Sequence, residues 1–218
     1  MIPENILPKK SPKWAFKLFY VLAITSVLAC QNNNQEIANY GLAQGTTYSV
    51  KYISADGLNY QSQIDSILIE IDRSMSLWVE SSIISRINRG DSAVEIDDNF
   101  RAVLKRSLEL GKTTHGNFDV TVGPLVHAWG FSNGDYQKLD SAVVDSLHRL
   151  VGYQNVSIAG MQVILKPYQQ LDFNAIAQGY TVDVIAAFLE ANGLKNYMVE
   201  VGGELKTKGV NVKDKPTM

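Results

Sequence analysis

The hydrophobic positions along the chain follow two periods, one typical of strands and one typical of helices. Residues Thr46–Ser54 alternate between apolar and polar, with Tyr48, Val50 and Tyr52 on one side, which predicts a half-buried strand. The apolar residues that follow recur every three or four positions and predict an amphipathic helix over about residues 60–74. These residues are Ile64, Ile67, Leu68, Ile71 and Met75.

The same two patterns continue along the chain and mix strands with helices. Helices are predicted from about Phe100 to residue 113, over residues 141–150 and over Ala177–Ala191, with Gly193 placed to end the last one in a left-handed conformation. Short strands are predicted over residues 156–158, 161–165, 197–201 and 204–207. Because no strict strand–helix–strand repeat is present, the predicted fold class is α+β and not a doubly wound sheet.

The first thirty residues have the three parts of an export signal. A basic stretch over residues 9–17 precedes an apolar run over residues 18–29, which is shorter than the ~20 residues that span a bilayer, and the only cysteine, Cys30, follows. The run from Val27 to Cys30 is similar to a bacterial lipobox. We therefore predict a signal peptide over residues 1–29, a lipidated tether over residues 30–43 and one domain over residues 44–218. A buried free thiol at Cys30 is the alternative.

This arrangement predicts a protein of the bacterial cell envelope that is anchored to a membrane by lipid and faces the periplasm or the exterior. Four of the 20 basic and one of the 22 acidic residues precede Cys30, so the remainder has a net charge of −5. Such a surface gives no support for nucleic-acid binding. The three histidines lack the spacing of a zinc site.

Candidate chemistry first appears over residues 113–131. The chain turns at Gly116 and then places the carboxylate of Asp119, the hydroxyl of Thr121 and the Gly123-Pro124 pair close together. Such a turn can present backbone N–H groups and a carboxylate to a polar ligand. The structural alternative is a loop in which Asp119 only caps the next turn.

A second candidate segment, residues 171–183, leads into a helix. Small residues such as Ala175 and Gly179 leave the positive end of that helix open, which suits a phosphate group. The structural alternative is a helix start that Asp172 or Asn174 caps. Gly202-Gly203 most simply forms a turn, although a ligand ring approaching the backbone there would also favour glycine. Trp78 is either a core residue or an exposed platform for a ring.

Taken in order, five segments resemble the ApbE family of FAD:protein FMN transferases. They are GTTYSVKY, MSLWVESSIISRIN, GNFDVTVGPLVHAWGF, LDFNAIAQGYTVD and VEVGGELKTKG, and together they extend from about Gln44 to Gly209. The resemblance implies a mixed α/β domain with an antiparallel sheet and packed helices. It also implies an enzyme that takes FAD, transfers the FMN half to a threonine hydroxyl of an acceptor protein and releases AMP with the help of Mg²⁺.

The resemblance further implies site residues and partners. The residues carried over to FAD binding are Gln44, Trp78, Asn117, Phe118, Asp119, Asp172 and Gln178. Ala175 would offer its main-chain carbonyl to Mg²⁺, a hard cation that prefers oxygen ligands. Gln44 replaces a frequent Met of the family, and Gln178 stands where Lys or Glu is common. The acceptor is expected to be a flavin-carrying subunit of a membrane redox complex.

The family pattern continues beyond the position of Met218, through segments similar to Ser-His-x-Ile-Asp-Pro and Ala-Asp-x-x-x-Thr that supply most Mg²⁺ ligands. Because this sequence has neither segment, we expect a domain that is incomplete at its C-terminus, and no catalytic residue is predicted. Two alternatives to the transferase therefore stay open. One is an FAD-binding lipoprotein without transferase activity, and the other is a lipoprotein that keeps only the fold.

Overall fold

The computed structural model describes residues 34–131, 138–211 and 213, and a four-stranded antiparallel sheet organises them. The sheet has the order β1-β2-β5-β6, and every neighbouring pair in it is antiparallel. Its strands are β1 (Gln35–Ala43), β2 (Thr46–Ser54), β5 (Tyr197–Val201) and β6 (Glu204–Lys208). A separate hairpin joins β3 (Ser157–Ala159) to β4 (Gln162–Ile164). The predicted α+β class with an antiparallel sheet is confirmed.

Six α-helices accompany these strands within the described residues. They are α1 (Gln61–Met75), α2 (Ile83–Asn88), α3 (Asp98–Thr113), α4 (Gly123–Ala128), α5 (Ser141–His148) and α6 (Ala177–Ala191). A short 3-10 helix covers Tyr153–Asn155. The hydrophobic periodicity predicted α1, α3, α5 and α6, whereas α2 and α4 are too short to show a helical period.

The core consists of two apolar clusters that α1 connects. The first cluster lies between the sheet and the helices α1 and α6, and it includes Tyr52, Ile64 and Val199. The second cluster gathers around α3 and continues from Ile71 of the same helix. Because α1 contributes to both clusters, its C-terminal end has a fixed position relative to the sheet.

The strand β1 corrects the predicted tether. Residues Gln35–Ala43 pair with β2 along its whole length, from Gln35 opposite Ser54 to Ala43 opposite Thr46. The polar character that suggested a tether over residues 30–43 is the character of an edge strand, in which only Asn39 is buried. Any tether therefore ends before Gln35. The signal segment and Cys30 lie outside the described residues.

A two-residue turn joins β1 to β2 and consists of Gln44 and Gly45. Both residues have positive φ, 54° and 72°, which is the conformation of the tight hairpin turns whose twist matches that of paired strands. The turn places the Gln44 side chain at the end of the sheet nearest to α6, where its amide donates a hydrogen bond to Thr181. The hairpin thus brings a residue of the predicted site towards the start of α6.

The end of α6 has the predicted glycine cap. Gly193 has a φ of 79°, its N–H donates to the carbonyl of Glu190, and the N–H of Leu194 donates to the carbonyl of Leu189. These bonds form the Schellman motif, which satisfies carbonyls at the helix end. No helix within the described ranges is long and apolar enough to cross a membrane.

Replacing Asp97 by alanine should lower the free energy of unfolding by about 2–3 kcal/mol. The Asp97 carboxylate caps α3 at the N–H of Phe100, 2.7 Å away, and accepts a hydrogen bond from the buried hydroxyl of Ser74 at 2.9 Å. Urea unfolding followed by circular dichroism would measure the change. Asp98→Ala, at the exposed neighbouring position, is the control and should cost less than about 1 kcal/mol. Equal losses in the two variants would contradict this assignment.

Candidate functional site

A cleft of about 430 Å³ lies where the end of α1, the β1–β2 turn and the start of α6 meet. We call it the Trp78 cleft. Its polar and aromatic lining residues are Gln44, Asp72, Ser76, Trp78, Asn174 and Gln178. Three residues of the predicted FAD site, Gln44, Trp78 and Gln178, therefore come together from three separate parts of the chain.

A second cleft, of about 400 Å³, adjoins the first and shares Leu77, Trp78 and Asn174 with it. We call it the Asp172 cleft. Its walls include Asp172, another residue of the predicted site, together with the basic side chains of Arg89 and His127. The two clefts thus form adjoining compartments on either side of Trp78 and Asn174.

Trp78 lies in a loop that serine hydroxyls hold in place. The side chain of Trp78 is 65% exposed, so its interpretation as a core residue is wrong. The Ser76 hydroxyl accepts a hydrogen bond from the N–H of Trp78, and the Ser76 carbonyl accepts bonds from the hydroxyls of Ser82 and Ser85. Because Ser82 also caps α2, the loop is tied to a helix start and presents its indole to solvent at the border of both clefts.

Gln44 and Gln178 hold the opposite wall of the Trp78 cleft. The Gln44 amide nitrogen donates to Thr181 at 2.6 Å, while its buried amide oxygen has no partner within the described residues. The Gln178 amide lies against Gly202, where a Cβ atom would be 2.5 Å from the amide nitrogen. Gly202 and Gly203 both have positive φ, which confirms the predicted turn, and Gly202 also leaves room for Gln178.

Asp172 is buried in a local turn with Asn174. One carboxylate oxygen accepts from the N–H of Asn174 at 2.8 Å and the other from the Asn174 side chain at 3.3 Å. Burial raises the pKa of Asp172, and the two bonds from Asn174 oppose that shift. Neither residue caps α6, since Ile176 is at the cap position and no side chain bonds there. The interpretation of these residues as helix caps is therefore wrong.

The segment that carries Asp172 is clamped from two sides. The Asn88 side chain donates to the carbonyl of Leu171 and accepts from its N–H, both at 2.8 Å. The N–H of Asp172 donates to the carbonyl of Val120, also at 2.8 Å. Gly123 is needed beside this segment because a Cβ atom there would be 2.8 Å from the Gln170 carbonyl. The segment that carries Asp172 is thus bonded to the segment that carries Asp119.

Asn117, Phe118 and Asp119 line neither cleft. Asp119 holds its own loop: one oxygen accepts from the N–H and the hydroxyl of Thr121 at 2.8 and 2.7 Å, and the other accepts from the N–H of Tyr153 at 2.8 Å. These bonds fit the structural interpretation of Asp119. Asn117 is exposed, and Phe118 packs against the second core cluster. The expectation that these residues contact FAD stays a prediction.

Carboxylates that could bind magnesium do not cluster among the described residues. They contain no group of three or more His, Cys, Asp or Glu side chains that could hold a metal ion. Ala175, whose carbonyl the resemblance assigns to Mg²⁺, is exposed and lines a separate cavity with Gly179 and Glu204. Asp183 lines the same cavity, and its carboxylate pairs with Lys206 at 2.8 Å. The Ala175 carbonyl would be one ligand of Mg²⁺, an ion that usually keeps several waters and binds substrate phosphates as well.

Asp72 is a cleft residue that none of the sequence motifs indicated. It lies on α1 four residues after Leu68 and three before Met75, both of which are buried, so it falls within the apolar stripe of the helix. An acidic residue in such a stripe is the signal that could have identified it. Burial raises the pKa of Asp72.

Comparison with known proteins identifies a family and several relatives. Residues 44–217 match the ApbE family. The chain is 34% identical to the FAD:protein FMN transferase of Vibrio cholerae over 206 residues, covering 88% of this chain and 61% of that protein. It is also 34% identical to the FAD:protein FMN transferase of Haemophilus influenzae over 207 residues, covering 88% and 60%. The chain thus spans about three fifths of the length of these relatives.

Solved structures of flavin transferases are similar to this chain as well. The flavin transferase ApbE from Vibrio cholerae superposes with a TM-score of 0.78 at 33% identity, covering 84% of this chain and 62% of that one. The apo flavinyl transferase ApbE of Pseudomonas stutzeri superposes with a TM-score of 0.77 at 31% identity, with the same coverage. An antiparallel sheet with packed helices is thus shared with flavin transferases. The chain belongs to the ApbE family.

Replacing Asp119 by alanine should lower the free energy of unfolding by about 2–4 kcal/mol, because three donors would lose a carboxylate partner. Thermal and urea unfolding would measure the loss. Asn117→Ala is the matched control on the same loop and should change the free energy of unfolding by less than about 0.5 kcal/mol, since Asn117 is exposed. An Asp119→Ala protein as stable as the parent would contradict a structural role.

Proposed function

We propose that this chain binds FAD and transfers its FMN half to a threonine hydroxyl of an acceptor protein, with release of AMP. The observation that carries the proposal is the convergence of Gln44, Trp78 and Gln178 on one cleft in a member of the ApbE family. Relatives that share most of this chain are FAD:protein FMN transferases. Because the chain spans only part of those relatives, its activity is a proposal.

The two adjoining clefts suit a ligand that combines rings with a diphosphate. Their volumes, about 430 and 400 Å³, are in the range of sites that hold small molecules and cofactors. The exposed indole of Trp78 offers a stacking face at the border between them. The guanidinium of Arg89 favours the diphosphate in the Asp172 cleft, and the imidazole of His127 offers a further hydrogen-bonding group there. Both carboxylate oxygens of Asp172 already accept bonds from Asn174.

The transfer itself is a phosphoryl substitution. The threonine oxygen bonds to the phosphorus of the FMN phosphate, and the bond from that phosphorus to the oxygen shared with AMP breaks. AMP leaves with the electron pair, and a base accepts the hydroxyl proton. The described residues contribute binding and orientation, which make the attack effectively intramolecular.

Magnesium dependence is part of the proposal through the family resemblance. When bound, Mg²⁺ would offset the negative charge that opposes attack on the diphosphate. The Ala175 carbonyl would hold the ion, together with oxygens of water and of the diphosphate.

Incubation of the purified protein with FAD, Mg²⁺ and a threonine-containing acceptor peptide should add the mass of an FMN group to the peptide. Mass spectrometry would detect the product, and calorimetry would measure FAD binding separately. FAD binding without a mass shift would favour the FAD-binding lipoprotein over the transferase. The absence of heat with FAD would exclude both functions.

Trp78→Ala is the informative variant in this assay. Loss of one stacked ring should weaken FAD binding by about 1–3 kcal/mol, or roughly 5- to 150-fold. Trp129→Ala is the matched control, because Trp129 is partly exposed and lines neither cleft. Equal affinities of the two variants for FAD would count against stacking at Trp78.

We also propose that Cys30 carries a lipid that anchors the protein to a membrane of the cell envelope. The proposal is supported by the basic and apolar segments that precede this only cysteine. An acceptor in a membrane redox complex would then lie in the same plane as the transferase, which raises their effective concentration.

Cys30→Ala should abolish incorporation of labelled palmitate and move the protein from the membrane to the soluble fraction. The variant removes the thiol that would carry the lipid, so fractionation and labelling should change together. Asn33→Ala, in the polar stretch that follows, is the control and should remain in the membrane. Labelling that persists in Cys30→Ala would refute lipidation at this position.

A further inference from the structure

Among the residues that the structure describes, Asp72 is the only charged side chain that lines the Trp78 cleft. It lies in the last turn of α1, between the buried residues Ile71 and Met75, and is itself only partly exposed. Its position in the apolar stripe of α1 costs folding free energy, because an ionised carboxylate loses hydration when it leaves water. The packing of α1 therefore gives no reason for a carboxylate at this position of the cleft.

The carboxylate of Asp72 has no protein partner. Within the part of the chain that the structure describes, it makes no side-chain hydrogen bond and no ion pair, and burial alone raises its pKa. Asp172 differs, since Asn174 satisfies both of its oxygens. A partly buried acceptor that protein donors leave unsatisfied is suited to a ligand donor.

The surroundings of Asp72 disfavour an anionic ligand group and suit an N–H donor. No basic side chain lines the described Trp78 cleft, so a phosphate there would meet an uncompensated negative charge. The amides of Gln44, Asn174 and Gln178 lie in the same cleft and offer neutral donors and acceptors beside the carboxylate. An acceptor next to amides and a stacking indole matches the edge of a planar nitrogen heterocycle, which presents N–H groups in its ring plane.

We propose that Asp72 accepts a hydrogen bond from a ring-edge N–H of the bound ligand and thereby orients FAD with a ring in the Trp78 cleft and the diphosphate in the Asp172 cleft. This inference rests on the proposed FAD site and deepens it. FAD has two rings with this chemistry, the isoalloxazine with its imide N–H and the adenine with its amino group. Asp72 is thus a binding and orienting residue.

Asp72→Asn should weaken FAD binding about 10- to 100-fold in calorimetry, because a charge-assisted hydrogen bond is lost. Its melting temperature without ligand should equal or exceed that of the parent, since the variant removes a poorly solvated charge. A merely structural residue would instead lower the melting temperature. Glu70→Gln, at an exposed position two residues earlier on α1, is the matched control and should change neither quantity.

Ligands with blocked edges test the hydrogen bond without any mutation. In 3-methyl-FMN the imide N–H is blocked, and in N6,N6-dimethyl-AMP the amino N–H groups are blocked, while stacking surface and hydroxyls remain. The parent protein should bind one of these ligands about 10- to 100-fold more weakly than FMN or AMP, respectively, and Asp72→Asn should not discriminate within that pair. The affected pair identifies the ring beside Asp72.

The outcomes separate the inference from the function on which it rests. If the parent binds FAD but neither Asp72→Asn nor methylation weakens binding, the role of Asp72 is refuted and the FAD site stands. If the parent binds no FAD, the proposed function and the inference both fail.

Discussion

The two hydrogen bonds between Asn88 and the backbone of Leu171 hold the candidate site together. Leu171 is fully buried and belongs to no strand, so its N–H and carbonyl need partners that regular secondary structure does not provide. The Asn88 side chain supplies both and joins positions 83 residues apart in the sequence. Because Asp172 and Asn174 follow directly, this clamp fixes the segment that supplies Asp172 to one cleft and Asn174 to both.

The sheet and the helices supply the other walls. The hairpin turn carries Gln44, the end of α1 carries Asp72, and the start of α6 carries Gln178. Each of these places is the end of an element whose body is packed in the core, so the site is built from termini on a rigid frame. Charge differs between the compartments: Asp72 is the only charged lining residue that the structure describes in one, whereas the other has both Asp172 and Arg89.

The sequence predicted the elements whose burial repeats with a regular period. The strand β2 and the helix α6 lie where alternation and the apolar stripe placed them, because both have one face in the core. The strand β1 was missed because an edge strand with one buried residue, Asn39, shows little alternation. Its pairing depends on β2, a tertiary contact that local pattern cannot report. For the site, the order of the motifs identified Gln44, Trp78 and Gln178. The hydrogen bonds from Thr121 and Tyr153 to the carboxylate of Asp119 depend on the fold and could not be predicted from the motif.

Gly202 has a consequence for how the Trp78 cleft can change shape. Its missing side chain leaves a recess in which the amide of Gln178 lies, so this amide is held back against the β5–β6 turn. The width of the cleft on this side therefore depends on Gly202, a residue that does not itself line the cleft. A side chain at position 202 would occupy this recess and displace the amide, so the shape of the cleft depends on a residue that does not line it.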